Sequence, residues 1–174
     1  MTRLQDIVQS FINIIQRKRI GVGHIGYLIN RVLNPKLIYV AQLMTLNEND
    51  WDLIFKPILG MTKRLLSLPS SFPTSAILHE GIGGIEHPWS SICKKQVTDL
   101  LLHLNDSSIA HEITIIRLHR VQINQMMTSP IFKAEKETLA VLRSEKSRNL
   151  SLHALTIAKS MNIELRMDTF KEEE

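Results

Sequence analysis

Apolar residues recur along this chain at spacings of three and four, and that period limits the fold more than any other feature. Leu4, Ile7, Val8, Phe11, Ile14 and Ile15 form one apolar face over three turns, as a helix packed on one side requires. RKRIGVG follows, placing cations at the negative end of the helix dipole and a stop at Gly21. A second helix is predicted from about Gly23 to Leu33, with Ile25, Leu28, Ile29 and Val32 on one face. Asn34-Pro35 then reads as a stop and a fresh start, because Asn caps helices and Pro is tolerated at the first helical position. The next stretch, KLIYVAQLM, is apolar around most of its circumference, which predicts a central helix. The expected core joins Leu28, Ile29, Val32, Leu37, Tyr39, Val40, Ile54 and Phe55, with a turn at Asn34-Pro35.

The pattern continues downstream. Asn47 with Asp50 resembles a capping box, and Trp51, Ile54, Phe55, Ile58 and Leu59 form the stripe of a helix that Pro57 should kink or split. A Pro- and Gly-rich connector follows, with at most one short helix or strand near TSAILHE. Pro88 opens a helix with Trp89, Ile92, Cys93, Val97, Leu100, Leu101 and Leu104 on its apolar side. After NDSS another helix is expected from about Ser108 to Met127, and residues 131–146 and 151–162 read as weaker, more polar helices. No strand-like alternation stands out. The fold class is therefore all-α, a bundle-like helical domain over residues 1–128 with a polar helical tail over 129–174.

Composition closes several functional routes. No run of about 18 uncharged apolar residues exists, so no membrane span is expected. The N-terminus carries Asp6 and no small-residue cleavage site. A single cysteine, Cys93, excludes an internal disulfide and fits a reducing, intracellular setting. Cys93 lies on an apolar face, as a packed thiol does. The seven histidines show no metal-ligand spacing. The residue pairs His79-Glu80 and Glu86-His87 read as polar loop residues, and GIGG lacks the ending of a phosphate cradle. No catalytic residue, cofactor or metal is expected. The charge, however, is uneven: residues 1–64 hold nine Lys and Arg against four acids, whereas residues 65–130 hold four against five. A phosphate-bearing partner would be sought in the first third.

In that third, Tyr27, Asn30, Val32, Leu33, Pro35, Lys36, Leu37 and Tyr39 form a pattern, continued by Lys63, Leu66, Leu68, Pro69, Pro73 and Gly81. It resembles the helical region after the palm in non-LTR (LINE-type) retrotransposon reverse transcriptases. The resemblance covers residues 3–128 and rests on apolar residues, prolines and glycines rather than on catalytic groups. It implies a thumb, a helical subdomain that holds an RNA–DNA hybrid or duplex RNA by its backbone, without sequence preference. The chain lacks an aromatic-x-Asp-Asp metal motif, fingers and palm, so it reads as a fragment with no polymerase chemistry of its own.

The candidate phosphate contacts are Arg17, Lys18, Arg19, Arg31 and Lys36. The helix-end RKR has an equally ordinary role as a solvated terminus. Arg117 and Arg120 could form a second basic strip or a plain solvated face. Tyr39 reads as a core aromatic, and so do Trp51 and Trp89. The alternative function is a helical protein-interaction module, including self-association through an apolar patch that a missing palm would leave uncovered.

Overall fold

The computed structural model describes residues 2–134, 136–142, 149–163 and 165, and within them the fold is all-α with no strand. The helices are α1 (Thr2–Ile15), α2 (Val22–Leu28), α3 (Asn34–Ala41), α4 (Glu48–Leu65), α5 (Thr74–Leu78), α6 (Pro88–Asn105), α7 (Ile109–Asn124), α8 (Lys136–Val141) and α9 (Leu150–Ser160). A π-helical turn, Ile29–Leu33, joins α2 to α3, and a short 3₁₀ turn, Ile131–Lys133, precedes α8. Among the described residues no helix is long and apolar enough to cross a membrane.

The chain divides into two compact units, Met1–Ile92 and Cys93–Glu174. In the first, α1 packs against α3 and α4. Its core holds Leu4, Val8, Ile12 and Ile15 of α1 with Ile29, Leu33 and Leu37, and Trp51, Ile54, Phe55, Ile58 and Met61 of α4. Full burial of a side chain such as Phe55 contributes about 1.5–3 kcal/mol. In the second, Leu100, Leu104, Leu118 and Val121 pack with Ile131, Leu139, Leu152 and Leu155.

The expected break at Asn34-Pro35 is absent. Leu33 and Asn34 both keep right-handed helical geometry, and the chain runs from α2 through the π turn into α3. The cause is Pro35, which lacks an N–H and whose ring crowds the preceding turn. The π turn loosens that turn, with the Asn34 N–H donating to the Ile29 carbonyl five residues back. Asn34 also caps nothing. Its Nδ2 instead donates to the Glu86 carbonyl at 2.8 Å. Pro57 does not split α4 either, since the helix continues through it to Leu65. Pro57 lacks the N–H that the Leu53 carbonyl would otherwise accept, and Leu53 itself lies on the exposed side of the helix.

Further expectations need correction. Tyr39 is not in the core, and only Asn34, Leu37 and Ala41 of α3 are buried, so that helix is half-exposed rather than central. The stretch read as polar helix at 151–162 holds α9, in which Leu152, Ala154, Leu155, Ile157 and Ala158 are all buried. Apart from these corrections, the compact units part at residues 92 and 93, and the division read from the sequence lies at 128 and 129. Of that expected tail, residues 135, 143–148, 164 and 166–174 lie outside the described residues.

Other readings match the structure. The Asn47 side chain accepts from the Asp50 N–H at 3.0 Å while Asp50 accepts from the Asn47 N–H at 3.1 Å, completing the capping box. Ser108 caps α7. Trp51 and Cys93 are buried, and Trp89 packs half-buried on the first core.

Candidate nucleic-acid interface

The α2–π–α3 rod is held by two asparagines four residues apart on one face. Asn30 donates to the Gly84 carbonyl at 2.6 Å and accepts the Glu86 N–H at 2.9 Å, gripping the backbone on both sides of Ile85. Asn34 takes the carbonyl of Glu86, two residues on from that of Gly84. The gripped segment follows a tight turn in which the His79 carbonyl accepts from the N–H groups of Ile82, Gly83 and Gly84. Glycine is favoured at the last position and required at the one before it. Gly84 has φ +59°, and a Cβ on Gly83 would stand 2.1 Å from the Ile77 carbonyl oxygen. The rod is thereby tied down by the part-buried amide of Asn30 and the buried amide of Asn34, while the side away from the Ile29–Leu33–Leu37 row faces solvent.

All five candidate cations are exposed. Lys18 and Arg19 lie in the turn after α1, and the Lys18 N–H bonds the Ile15 carbonyl at 2.9 Å. Arg17 lines an open hollow of about 360 Å³ with Gln16, Met61, Leu65 and Arg64. Lys36 lines another, of about 340 Å³, between α1 and the rod, with Arg3, Asp6, Phe11 and Ile14 among its walls. Arg31 lines neither. The structure therefore spreads the five over the unit rather than gathering them, and adds Arg3 and Arg64 as neighbours that the sequence reading did not single out.

The electrostatics is one-sided apart from Asp6, which shares the hollow that Lys36 and Arg3 line. No acid occurs between Asp6 and Glu48, and all five cations fall in that interval. Among the described residues, Arg3, Arg17, Lys18, Arg19, Arg31 and Lys36 have no carboxylate partner, Lys95 pairs with Asp99 elsewhere, and His87 Nε2 stands 3.3 Å from Asp52 Oδ1. Lys63 and Arg64 are partly engaged, donating to the carbonyls of Ser70 at 3.1 Å and Gly60 at 3.4 Å. Unneutralised exposed cations attract anions over about a Debye length. This acid-free interval was visible in the sequence as a gap between acids. The cross-chain amide grips were not.

His87, read as a loop residue, has a structural place. It precedes α6, its Nδ1 accepts the Trp89 N–H at 3.3 Å, and its ring meets Phe55 edge-on at 5.0 Å. Burial lowers its pKa from the ordinary 6.5, against the opposing pull of Asp52 and Glu48. His79, also raised as an acid–base candidate, is exposed, and its Nδ1 accepts the Gly81 N–H. Among the described residues no group of three or more His, Cys, Asp or Glu is placed to hold a metal ion. Comparisons with protein-family models, with curated proteins and with solved structures return no match to this chain.

Proposed function

We propose that the Met1–Ile92 unit binds a nucleic-acid duplex through its backbone, as the thumb of a LINE-type reverse transcriptase would. The observation that carries this reading is the acid-free interval between Asp6 and Glu48, with five exposed cations free of carboxylate partners among the described residues. Phosphate contact needs cations on a stable scaffold and no base reading, so binding is indifferent to sequence. An RNA-containing duplex offers such a scaffold its A-form backbone. By this reading the chain extends no primer by itself, and metal-dependent synthesis in a primer-extension assay would count against it. Fluorescence anisotropy on two unrelated RNA–DNA hybrids tests the binding. The expected Kd is on the order of 10⁻⁴–10⁻⁶ M at physiological salt for both. A preference of tenfold or more for one sequence would contradict the reading.

One observation favours a protein-interaction role for the second unit. Ile109, Ile113, Ile116 and Ile123 of α7 are 73%, 43%, 64% and 75% exposed, although Thr114, Leu118 and Val121 on the same helix are buried. Three of these isoleucines recur every seven residues, the spacing of a helix–helix seam. Sedimentation equilibrium tests self-association through this row. A concentration-dependent dimer that Ile116→Lys abolishes is expected, and a monomer at all concentrations rejects it.

A further inference from the structure

Burial along the rod follows a period of four rather than 3.6. Ile25, Ile29, Leu33, Leu37 and Ala41 are each at most 1% exposed. Halfway between them, Tyr27, Arg31, Pro35 and Tyr39 are exposed. In a regular α-helix each four-residue step drifts by about 40°, so such rows would spiral away from the core. The π turn takes more residues per turn and offsets part of that drift. Its consequence on the solvent side is a ridge along which Tyr27, Arg31, Pro35 and Tyr39 succeed one another, with Lys36 beside Pro35.

The ridge carries both tyrosines of the chain, 64% and 74% exposed, with Arg31 between them. Along the axis the rings stand about 18 Å apart. It belongs to the acid-free interval, so nothing on the rod offsets Arg31 or Lys36. Open aromatic faces interleaved with unneutralised cations complement an unpaired strand, whose phosphates seek cations and whose bases offer π-faces for stacking. A duplex keeps its base faces inside its own stack, so it would gain nothing from the tyrosines.

We propose that this ridge binds single-stranded nucleic acid, with Tyr27 and Tyr39 as stacking platforms and Arg31 and Lys36 on the intervening phosphates. The proposal rests on the nucleic-acid reading above and adds to its duplex contacts a second mode, an unpaired strand held by the ridge, with the residues that select it. The test uses three labelled probes: an adenosine oligoribonucleotide of about 12 residues, an abasic oligomer with the same phosphates, and a hybrid duplex. The proteins are the whole chain, the Tyr27→Phe/Tyr39→Phe variant and the Tyr27→Leu/Tyr39→Leu variant. Both rings are exposed, so unfolding midpoints should agree.

The Leu variant is expected to lose about tenfold or more in affinity for the adenosine strand, in line with base–aromatic stacking. The Phe variant should match the parent, and the abasic and duplex probes should not distinguish the three proteins. Equal binding of the adenosine strand by parent and Leu variant would overturn the proposal. So would a loss by the Leu variant on all three probes alike. If salt-dependent duplex binding persists in either case, the backbone reading survives and only the ridge assignment falls. If the parent binds none of the probes, both fall.

Discussion

The carboxamide of Asn30 satisfies two backbone groups at once, the Gly84 carbonyl and the Glu86 N–H. Asn30→Ala leaves both without that partner, and a part-buried pair of this kind is expected to cost about 2 kcal/mol in urea-unfolding free energy. Gly83→Ala forces a Cβ against the Ile77 carbonyl and is expected to fall at the upper end of the ~1–3 kcal/mol typical of overpacking. His87 adds a pH dependence. Burial holds its folded-state pKa below 6.5, so the unfolded chain binds the extra proton more readily. Stability from this group is whole above pH 6.5 and is lost as pH falls through 6.5 towards the folded value. Unfolding midpoints measured between pH 5 and 8 should decline towards acid, and His87→Gln should flatten that decline. The sequence could not supply these roles. Asn34 next to Pro35 looks like a cap because local pattern sees only near neighbours, and its partner lies 52 residues away.

The helices themselves were readable where one apolar face is matched by a polar one. For α4 the capping box, the stripe and the buried Trp51 all followed from spacing. Asn47→Ala should accordingly cost about 1 kcal/mol, measurable as a shifted urea midpoint. Elements whose burial does not follow hydrophobicity were misread. Apolar residues surround α3, yet its Tyr39 side faces water because the π turn keeps the Leu33–Leu37–Ala41 row on the core, with Ile38 and Val40 packed beside it. The reverse holds for α9, where small and polar residues such as Ser151 and His153 are buried with their apolar neighbours. His153 Nδ1 and Gln96 Oε1 stand 3.3 Å apart inside that unit, a pairing no window of sequence reveals. Proline was another point of difference: Asn34-Pro35 reads as a break in the sequence, yet Pro35 sits within a helical run beside a π turn, and α4 continues past Pro57.

Across the whole chain, charge was read more reliably than connectivity. The excess of cations in the first third needed only counting, and the structure leaves Arg17, Lys18, Arg19, Arg31 and Lys36 exposed. Which of them act together was not readable, because that depends on how α1, α3 and α4 pack. Lys36 lines one hollow with Arg3 and Asp6, and Arg17 lines another with Arg64. The central claim, that these cations meet phosphates, is tested most directly by the salt dependence of binding to a hybrid duplex. Roughly three to five phosphate contacts would give a log–log slope of about −0.9 per contact if the hybrid behaves like B-form DNA. Replacing Lys18, Arg19, Arg31 and Lys36 together with Gln should weaken binding to every sequence alike and flatten that slope, with the helical circular dichroism spectrum unchanged. Superimposable isotherms for the parent and the folded quadruple variant at every salt concentration would contradict the account.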